Sequence, residues 1–416
     1  MKGVHMKKVL VIGAGAAGTM AAYFAANSGA RVTILEKNKM IGKKLRITGK
    51  GRCNITNASD VEEIIKNIYR NGNFMYSSLY SFSNDDLMNL FESYGLKLKV
   101  ERGNRVFPES DKAIDVVRTI EKMMDDKKIK IEYKNNVESI LVKNGKVEGV
   151  RLDSGREVLS DSVIIATGGV SYPITGSNGD GYRIAKQCGH SITRLKPALV
   201  GIEIKPLPKR EMIGLNLRNI SISLKKNNKK IYEDFGELEF RDYGIDGPVI
   251  KSASCYVENL EKYNYQIELD LKPALSFEKL DNRIQRDFKK YMNKKFEDSL
   301  IELLPKTMID FVIDSSEIER DKAVHQITKE ERYKLIHSIK NINFDVKKLR
   351  PIEEAIVTSG GIEIKEINPS TMESKKVKGL YFAGEIVDID AYTGGYNLQS
   401  AFSMGYLAGI SSVNEE

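Results

Sequence analysis

A glycine-rich turn lies between a short apolar strand and an alanine-rich helix near the start of the chain. Residues 8–12 (KVLVI) form a β-branched run typical of a buried parallel strand, and a helix is predicted over 16–27, with Gly29 as its C-terminal cap. A second strand over 31–35 leads to Glu36. This order predicts a βαβ unit, and therefore an α/β fold with a parallel sheet in this part of the chain.

The turn itself has the spacing of a dinucleotide-binding loop. Gly13 permits a tight turn, Gly15 lets the backbone approach a pyrophosphate, and Gly18 lets the helix pack closely on the strand. Glu36, eighteen residues beyond Gly18, can accept hydrogen bonds from a ribose. An acid at this position favours the unphosphorylated ribose of FAD or NAD over that of NADP.

Three later segments favour FAD over NAD. Residues 164–169 (IIATGG) and 379–385 (GLYFAGE) are predicted strands with small residues at their ends, and Glu385 is suited to binding ribityl hydroxyls. Residues 393–397 (TGGYN) precede a predicted helix over 398–409. The N–H groups and dipole at that helix start would stabilise negative charge on a reduced flavin, and a nicotinamide has no such anionic edge.

The middle of the chain has a different residue pattern. Alternating residues predict an antiparallel sheet or barrel with strands at 200–204, 219–224 and 266–271, and the basic stretch at 225–230 is interpreted as a solvated hairpin turn. A helical run over 277–300 follows and is ended by Pro305, while Thr328 with Glu331 forms a capping box for a further helix. From about Pro351 onward the chain is again rich in glycine and β-branched residues, as in its first part. The middle of the chain is therefore interpreted as an insertion into the α/β domain.

Composition limits the class of protein. Of the 416 residues, 41% are hydrophobic, and no run approaches the roughly 18 apolar residues of a membrane span. The three cysteines lie far apart without CxxC spacing, which indicates a reduced, cytoplasmic protein. The net charge of +8 and pI near 9.0 indicate weak attraction to polyanions, so a nucleic-acid partner is not expected from composition alone. No metal site is predicted, because the histidines lack metal spacing and Asp388 with Asp390 lacks a third ligand.

Several longer motifs run from end to end of the chain: 42–45 (GKKL), 48–57 (TGKGRCNITN), 105–110 (RVFPES), 166–169 (ATGG), 171–173 (SYP), 175–181 (TGSNGDG), 368–375 (NPSTMESK) and 393–399 (TGGYNLQ). Together they resemble the BaiN/YhiN-like family of bacterial FAD flavoproteins, also called NAD(P)/FAD-dependent oxidoreductases or the aminoacetone oxidase family. The resemblance implies a Rossmann-like, glutathione-reductase-like FAD-binding domain with an inserted β-barrel-like domain and a small helical domain. The implied bounds are 1–194 and 346–416 for the FAD domain, 195–275 and 320–345 for the barrel-like domain, and 276–319 for the helical insertion.

The resemblance also implies a set of cofactor contacts. Glu36 and Lys37 would hold the adenosine ribose, Lys43 and Lys44 would lie near the phosphates, and the backbone of Val137 would meet the adenine. The expected cofactor-binding residues are Gly13, Gly15, Ala17, Gly18, Glu36, Lys37, Lys43, Lys44, Val137, Thr167, Gly168, Gly384, Glu385, Gly395, Asn397 and Leu398.

Catalytic residues are less clearly indicated. Arg52 and Cys53 lie in a polar glycine loop, where Cys53 is either a redox thiol or a small buried side chain. Arg105 either holds an anionic or carbonyl group or forms a surface ion pair, and Tyr392 either donates a proton or forms a wall. The family usually carries Phe-Thr-His-x-Gly-x-Ser-Gly-Pro where this chain has FRDYGIDGP at 240–248. If that turn faces the substrate, we expect the substrate specificity to differ from that of relatives.

We expect an FAD-dependent oxidoreductase that binds a small organic substrate between its FAD and barrel domains. The resemblance suggests two activities, of which we favour NAD(P)H-linked reduction of an activated C=C bond, as proposed for bile-acid intermediates. The alternative is oxidation of an amine such as aminoacetone with O₂. A second glycine-rich βαβ unit is absent from the sequence, so NADH or NADPH would have to use the substrate pocket. The alternative from another class, motivated by the pI, is a flavin-containing RNA-associated protein. The sequence leaves the oligomeric state open.

Overall fold

The structure, a computed structural model, describes residues 6–414 and divides into two compact units. The first unit comprises the described residues up to Pro197 and from Ile352 onward, and the second comprises Ala198–Pro351. A stretch in the middle of the chain thus forms a unit of its own. A separate helical domain over 276–319 stays a prediction.

Strands and helices alternate in the first part of the chain, and strands dominate its middle. In chain order the strands are β1 Lys8–Ile12, β2 Arg31–Glu36, β3 Thr56–Asn57, β4 Leu98–Glu101, β5 Arg105–Pro108, β6 Lys130–Tyr133, β7 Val137–Lys143, β8 Lys146–Leu152, β9 Glu157–Leu159, β10 Ser162–Ile165, β11 Lys196–Ala198, β12 Ile202–Lys205, β13 Asn216–Lys226, β14 Lys229–Arg241, β15 Gly244–Asp246, β16 Tyr265–Asp270, β17 Ile342–Leu349, β18 Val357–Ser359 and β19 Leu380–Phe382. The α-helices are α1 Ala16–Asn27, α2 Val61–Lys66, α3 Tyr76–Ser81, α4 Asn84–Ser93, α5 Ala113–Asp126, α6 Asp180–Gln187, α7 Pro248–Ser254, α8 Phe277–Lys290, α9 Lys306–Ser316, α10 Lys329–Lys340 and α11 Tyr396–Ser411.

A parallel sheet with the order β19-β10-β1-β2-β6 forms the centre of the first unit. Its middle strand pairs Val11 with Ile34 on one side and with Ile164 on the other. These side chains are buried, as expected for a strand covered on both faces. The predicted βαβ unit is therefore confirmed, and β19 adds a strand from the far end of the chain to the same sheet.

Helices α1 and α11 lie close together beside this sheet because small residues face each other. A Cβ atom added at Gly405 would lie 2.4 Å from the carbonyl oxygen of Ala17, and one at Gly409 would lie 2.5 Å from that of Ala21. Larger side chains at either glycine would push the helices apart. This close contact fixes the start of α11 relative to the turn after β1.

The second unit contains a closed antiparallel barrel with the order β12-β15-β14-β13-β16-β17, which confirms the predicted barrel. Its core includes the fully buried rings of Phe240 and Phe344. The turn between β13 and β14 places Asn227 and Asn228 at φ 49° and 65°, the left-handed conformation that Asn tolerates in a tight hairpin. The basic stretch around it forms this hairpin turn, as predicted.

The predicted helical run over 277–300 is too long. Helix α8 ends at Lys290, and Phe296–Leu300 forms a separate 3₁₀ turn. The chain leaves the helix because the Phe296 N–H donates to the Lys322 carbonyl oxygen at 2.9 Å and its buried ring packs edge-on against Phe288. The predicted capping box of α10 is confirmed, with the Thr328 side chain accepting from the Glu331 N–H. None of the helices in residues 6–414 is long and apolar enough to cross a membrane.

Candidate functional site

A deep cleft opens in the first unit at the carboxyl ends of its parallel strands. It has about 1430 Å³ of empty space, the open mouth included, and is lined by the ends of β1, β2, β10 and β19 and by the first turns of α1 and α11. This is where open α/β sheets bind their ligands. The predicted cofactor residues that line it are Gly13, Gly15, Ala17, Glu36, Lys37, Lys43, Lys44, Val137, Thr167, Gly168, Gly384, Glu385, Asn397 and Leu398.

Glycine is needed at each of the three positions of the first turn for a different structural reason. Gly13 has φ +100°, and a Cβ there would lie 2.7 Å from the Ala166 carbonyl oxygen. A Cβ at Gly18 would lie 2.0 Å from the Gly13 carbonyl oxygen, so this residue serves close packing and does not line the cleft. A Cβ at Gly15 would meet no protein atom within 4 Å. Gly15 therefore keeps open a space that the protein itself does not fill, next to a helix N-terminus that attracts phosphate.

Glu36 is held firmly at the end of β2. Its carboxylate accepts hydrogen bonds from the Ala14 N–H at 2.8 Å and the Asn38 N–H at 2.7 Å, and the residue is only 7% exposed. Asn38 Nδ2 also donates to Glu36 Oε1 at 2.8 Å, so both lone pairs of that oxygen are used, while Oε2 accepts only from Ala14 and can still accept from a ribose hydroxyl in the cleft. The carboxylate thus ties the glycine-rich turn to β2 and lines the cleft.

We expect Glu36→Ala to weaken FAD binding roughly ten- to a hundredfold, the equivalent of losing about 1.5–3 kcal/mol of hydrogen bonding to a charged group. The dissociation constant is measured by titrating the apoprotein with FAD and following the quenching of flavin fluorescence. Glu157→Ala, at an exposed ion pair with Arg151, is the matched control and should bind FAD like the wild type. Equal affinity of the two variants would contradict the role given to Glu36.

Two lysines of the cleft fasten a neighbouring loop. Lys37 Nζ donates to Asn178 Oδ1 at 2.5 Å and to Asp180 Oδ2 at 2.9 Å, while Lys43 Nζ donates to the Ile174 carbonyl oxygen at 2.5 Å. These contacts hold the loop before α6 against the end of β2. The ammonium groups therefore bring positive charge to the rim of the cleft while they are bound to protein atoms.

Lys44 forms an ion pair with Glu385 across the cleft. Its Nζ lies 2.8 Å from Glu385 Oε2, and the other carboxylate oxygen accepts from the Thr358 N–H at 2.8 Å and the Ser171 hydroxyl at 2.9 Å. Burial by itself would raise the pKa of Glu385, but the Lys44 charge and these hydrogen bonds together hold that pKa below its usual value. Glu385 is thus a fixed anion at neutral pH, suited to accepting from hydroxyl groups of a ligand.

Asn397 contributes to the site through its backbone. Its side-chain Oδ1 accepts from the Ala391 N–H at 3.0 Å and its Nδ2 donates to the Ala391 carbonyl oxygen at 2.8 Å. The side chain is therefore occupied in holding the preceding loop. The N–H groups in the first turn of α11, which have no partner within the helix, remain available to a cofactor at the cleft.

Two buried hydroxyl groups of the cleft lack partners. Thr167 Oγ1 and Ser400 Oγ are inaccessible to solvent and have no hydrogen-bond partner among the described residues, although both residues line the cleft. Unsatisfied buried hydroxyls are costly, and a polar ligand is one way to satisfy them. Together with the empty space at Gly15 and the anchored Glu36 and Glu385, they fit a dinucleotide with hydroxyl and amide groups.

Two motifs that are far apart in sequence meet at the start of α11. Thr56 Oγ1 donates to Gln399 Oε1 at 2.6 Å, and Asn57 Nδ2 donates to the Gly394 carbonyl oxygen at 3.0 Å. A Cβ at Gly395 would lie 2.3 Å from the Thr56 carbonyl oxygen, which explains glycine there although Gly395 does not line the cleft. The 48–57 and 393–399 segments thus form one structural element, a connection that sequence analysis missed.

Arg52 and Cys53 do not line the cleft. Arg52 makes ion pairs with Glu101 and Asp111, and its guanidinium lies 4.2 Å from the centre of the Phe107 ring. Cys53 is fully buried, and burial raises the pKa of its thiol to about 12. The Cys53 side chain thus stays a protonated, inaccessible thiol, while Arg52 stabilises its own loop.

Arg105 and Tyr392 also lie outside the cleft lining. Arg105 is exposed, and its Nε donates to the Arg102 carbonyl oxygen at 3.0 Å. The Tyr392 ring is half-buried and stacks on Tyr69 with 5.2 Å between the ring centres. The described contacts do not bring Arg105 to the cofactor residues, whereas the Tyr392 carbonyl oxygen accepts from Asn397 Nδ2 at 3.2 Å. Both residues remain predictions as catalytic groups.

A cluster of one arginine and two aspartates lies beside the cleft. Arg70 forms a two-point ion pair with Asp388, and its Nε lies 3.7 Å from Asp390 Oδ2. Asp390 is 1% exposed, and neither of its carboxylate oxygens has a hydrogen-bond partner among the described residues. Burial, with a smaller contribution from the negative Asp388, raises the pKa of Asp390 to about 7. Arg70 was missed because it lies 318 residues from Asp388 in sequence.

No group of His, Cys, Asp and Glu within residues 6–414 is suited to holding a metal ion. The site is therefore described by its nucleotide-binding features: a parallel sheet, a glycine turn leading into α1, an acid at the end of β2, and the start of α11 at the same cleft. These features are those of a Rossmann-type FAD-binding flavoprotein.

The chain belongs to the HI0933-like family, whose model, described as "HI0933-like protein Rossmann domain", matches residues 7–411. The resemblance inferred from the motifs is thus confirmed. The chain is 31% identical over 414 residues to a 3-dehydro-bile acid delta(4,6)-reductase of Clostridium scindens, covering 98% of this chain and 99% of that protein. It is 30% identical to a ribosomal RNA dihydrouridine synthase of Haemophilus influenzae, covering 97% of each. The chain is an FAD-dependent oxidoreductase.

Solved structures share the fold at low sequence identity. A 3-ketosteroid delta1-dehydrogenase of Sterolibacterium denitrificans has a TM-score of 0.55 at 13% identity, covering 98% of this chain and 99% of that one. A 3-ketosteroid-delta4-(5alpha)-dehydrogenase of Rhodococcus jostii has a TM-score of 0.50 at 14% identity, covering 100% and 99%. At this identity the similarity shows the fold alone.

Proposed function

We propose that this chain reduces a carbon–carbon double bond that is conjugated to a carbonyl group. The named activities of two of its relatives, a bile acid reductase and a ribosomal RNA dihydrouridine synthase, support this proposal. A delta(4,6) double-bond system in a 3-dehydro steroid is conjugated to the 3-oxo group, and dihydrouridine is uridine reduced at the double bond conjugated to a ring carbonyl. The steroid and the nucleobase differ greatly in shape, but the bond that is reduced has the same electronic character.

FAD supplies two-electron hydride chemistry when it is bound. The residues of the cleft supply orientation and charge. The positive start of α11 stabilises negative charge close to Leu398, and the anionic Glu385, fixed by Lys44, accepts hydrogen bonds from ligand hydroxyls. Apolar side chains of the same wall, including Ile389 and Met404, exclude water from the site and strengthen these electrostatic interactions.

We propose NADH or NADPH as the electron donor and a small organic substrate, similar in class to a 3-oxo steroid, as the acceptor. The donor would enter by the substrate route, because the chain has one glycine-rich dinucleotide loop of the βαβ type. A uridine base in ribosomal RNA is the second candidate substrate. It is favoured by the rRNA relatives and by the net charge of +8.

The test is anaerobic mixing of the FAD-loaded protein with NADH or NADPH while the visible flavin absorbance is followed. We expect the band to bleach, and to return when a 3-oxo-Δ4,6 steroid or a uridine-containing rRNA fragment is added, with the product gaining two hydrogens by mass spectrometry. The substrate that restores the band identifies the acceptor. Bleaching by aminoacetone alone, with no response to either nicotinamide cofactor, would instead support an amine oxidase.

A further inference from the structure

A shallow pocket in the second unit, formed by α8 and the residues just before it, carries an excess of positive charge. It is lined by Leu275, Lys279, Asn282, Arg283 and Arg286. Steps of four and three residues place the three cations on one side of the helix. The face therefore presents two guanidinium groups, an ammonium group and an amide within a small area.

Both arginines lie beside one buried carboxylate, which binds Arg283 more closely than Arg286. Arg283 Nε donates to Asp287 Oδ2 at 2.7 Å, and Arg286 Nε lies 3.8 Å from the other oxygen of Asp287, a residue that is 5% exposed. The carboxylate orients the Arg283 guanidinium, whereas the Arg286 side chain is 71% exposed and its charge faces solvent. One carboxylate beside two arginines leaves a surplus of positive charge. Oriented guanidinium groups are the protein's best donors to phosphate.

Two lysines add to this surplus. Within residues 6–414, neither Lys272 nor Lys279 forms an ion pair with a carboxylate. Lys272 is half-buried, and burial together with the positive charge of Arg283 lowers its pKa, so these two cations repel each other. Such repulsion is relieved when an anion binds between them.

The other acids near this face are already paired. Asp270 binds Lys340 at 2.6 Å, and Asp281 binds Arg332 at 2.9 Å. Neither carboxylate is therefore free to neutralise the cations on α8. Glu302 also lies near Arg283, but it is bound by Lys290 and Tyr291. Within residues 6–414, Asp287 is therefore the carboxylate that pairs with the arginines of this face.

We propose that this cation cluster, formed by Lys272, Lys279, Arg283 and Arg286 with the amide of Asn282, binds backbone phosphates of RNA. RNA is favoured over an isolated anion because the donors are spread along nearly two turns of a helix, which suits consecutive phosphates. The inference rests on the second candidate substrate of the proposed function. It assigns the contact with the RNA backbone to the inserted unit, while the chemistry stays in the first unit.

The test uses the FAD-loaded full chain and a fluorescein-labelled, uridine-containing RNA hairpin, with binding measured by anisotropy at several salt concentrations. We expect Lys279→Ala/Arg286→Ala to bind about tenfold more weakly at low salt and to reduce the slope of log K against log salt by about 1.5, since two phosphate contacts are lost. The matched control is Arg218→Ala/Lys229→Ala, which removes the same charges from exposed positions on β13 and β14. It should bind like the wild type.

Equal losses in both double variants would overturn the inference, because they would show a general charge effect. Binding of the hairpin that does not depend on salt, absence of hairpin binding by the wild type, or binding of inorganic phosphate alone would also overturn it. Reduction of the 3-oxo steroid by the wild type is measured separately. The return of flavin absorbance is also measured with the uridine-containing fragment as acceptor. Failure of both acceptors would contradict the proposed bond chemistry, whereas salt-independent or absent hairpin binding contradicts only the RNA site, so the two failures are distinguishable.

Discussion

Gly15→Leu is expected to give a folded protein that no longer retains FAD. The backbone at Gly15 is extended, with φ −84° and ψ −170°, so any residue can adopt it, and an added Cβ meets no protein atom within 4 Å. The leucine side chain would occupy the space at the start of α1 where a pyrophosphate would lie. We expect FAD affinity to fall at least a hundredfold, about 2.8 kcal/mol or more. Gel filtration followed by the flavin absorbance of the protein peak measures this loss.

Gly18→Ala provides the contrast for this prediction. Its Cβ would lie 2.0 Å from the Gly13 carbonyl oxygen, so we expect the apoprotein itself to lose stability. Thermal unfolding of the two apoproteins separates the cases: Gly15→Leu should unfold like the wild type, and Gly18→Ala at a lower temperature. A Gly15→Leu protein that keeps a full complement of flavin would show that the cofactor does not occupy this cleft.

The second large effect is expected at Asp390, where the stability of the protein should depend on pH. The pKa of the buried carboxyl is about 7 in the folded state, against about 4 in an unfolded chain. The folded state therefore holds a proton that the unfolded state has released between these values. The contribution of Asp390 to stability is full below about pH 4, falls as the pH rises to about 7, and then stays level, with a total loss of up to about 4 kcal/mol.

Asp390→Asn removes this titration, because the amide is neutral at every pH. We expect the variant to be more stable than the wild type at pH 8, by about 2–4 kcal/mol, and the difference to shrink toward pH 5. Urea unfolding at pH 5, 6, 7 and 8, with the same excess of FAD in every sample, measures the difference in the free energy of unfolding between the variant and the wild type. The charged groups that face Asp390 are Asp388, Arg70 and Glu385.

Asp388→Asn is the control for the Asp390 measurement, because it weakens the ion pair with Arg70. At pH 8, Asp388→Asn should lower the free energy of unfolding, whereas Asp390→Asn should raise it. Parallel pH profiles for Asp390→Asn and the wild type would show that the Asp390 carboxyl does not titrate in this range.

The local structure of the first unit could be predicted well from sequence. Short-range rules suffice for the turn glycines and for the α1 and β2 segments, because glycine spacing and β-branched runs act within a few residues. The same rules placed the capping box at Thr328. They overextended α8, because the contact of Phe296 with the distant Lys322 segment ends the helix and has no local signal.

The polar contacts within the site could not be predicted in the same way. Lys44 and Glu385 are 341 residues apart, and Thr56 and Gln399 are 343 apart. A periodic pattern identifies the face on which a side chain lies but not the distant partner that it meets there. The motifs therefore indicated which segments matter, while the pairing of those segments depends on the packing of α11 against α1.

The parallel sheet is completed by β19 and the cleft by α11, both of which follow the inserted unit in the chain. A ribosome therefore synthesises β1, β2 and β10 well before the strand and helix that finish the cofactor domain. During that interval the small-residue surface of α1 that α11 covers is exposed to solvent. We therefore expect flavin capture to come late in biosynthesis, after translation of Tyr396–Ser411, and a chain stalled before that point to be colourless and to associate through the uncovered surface.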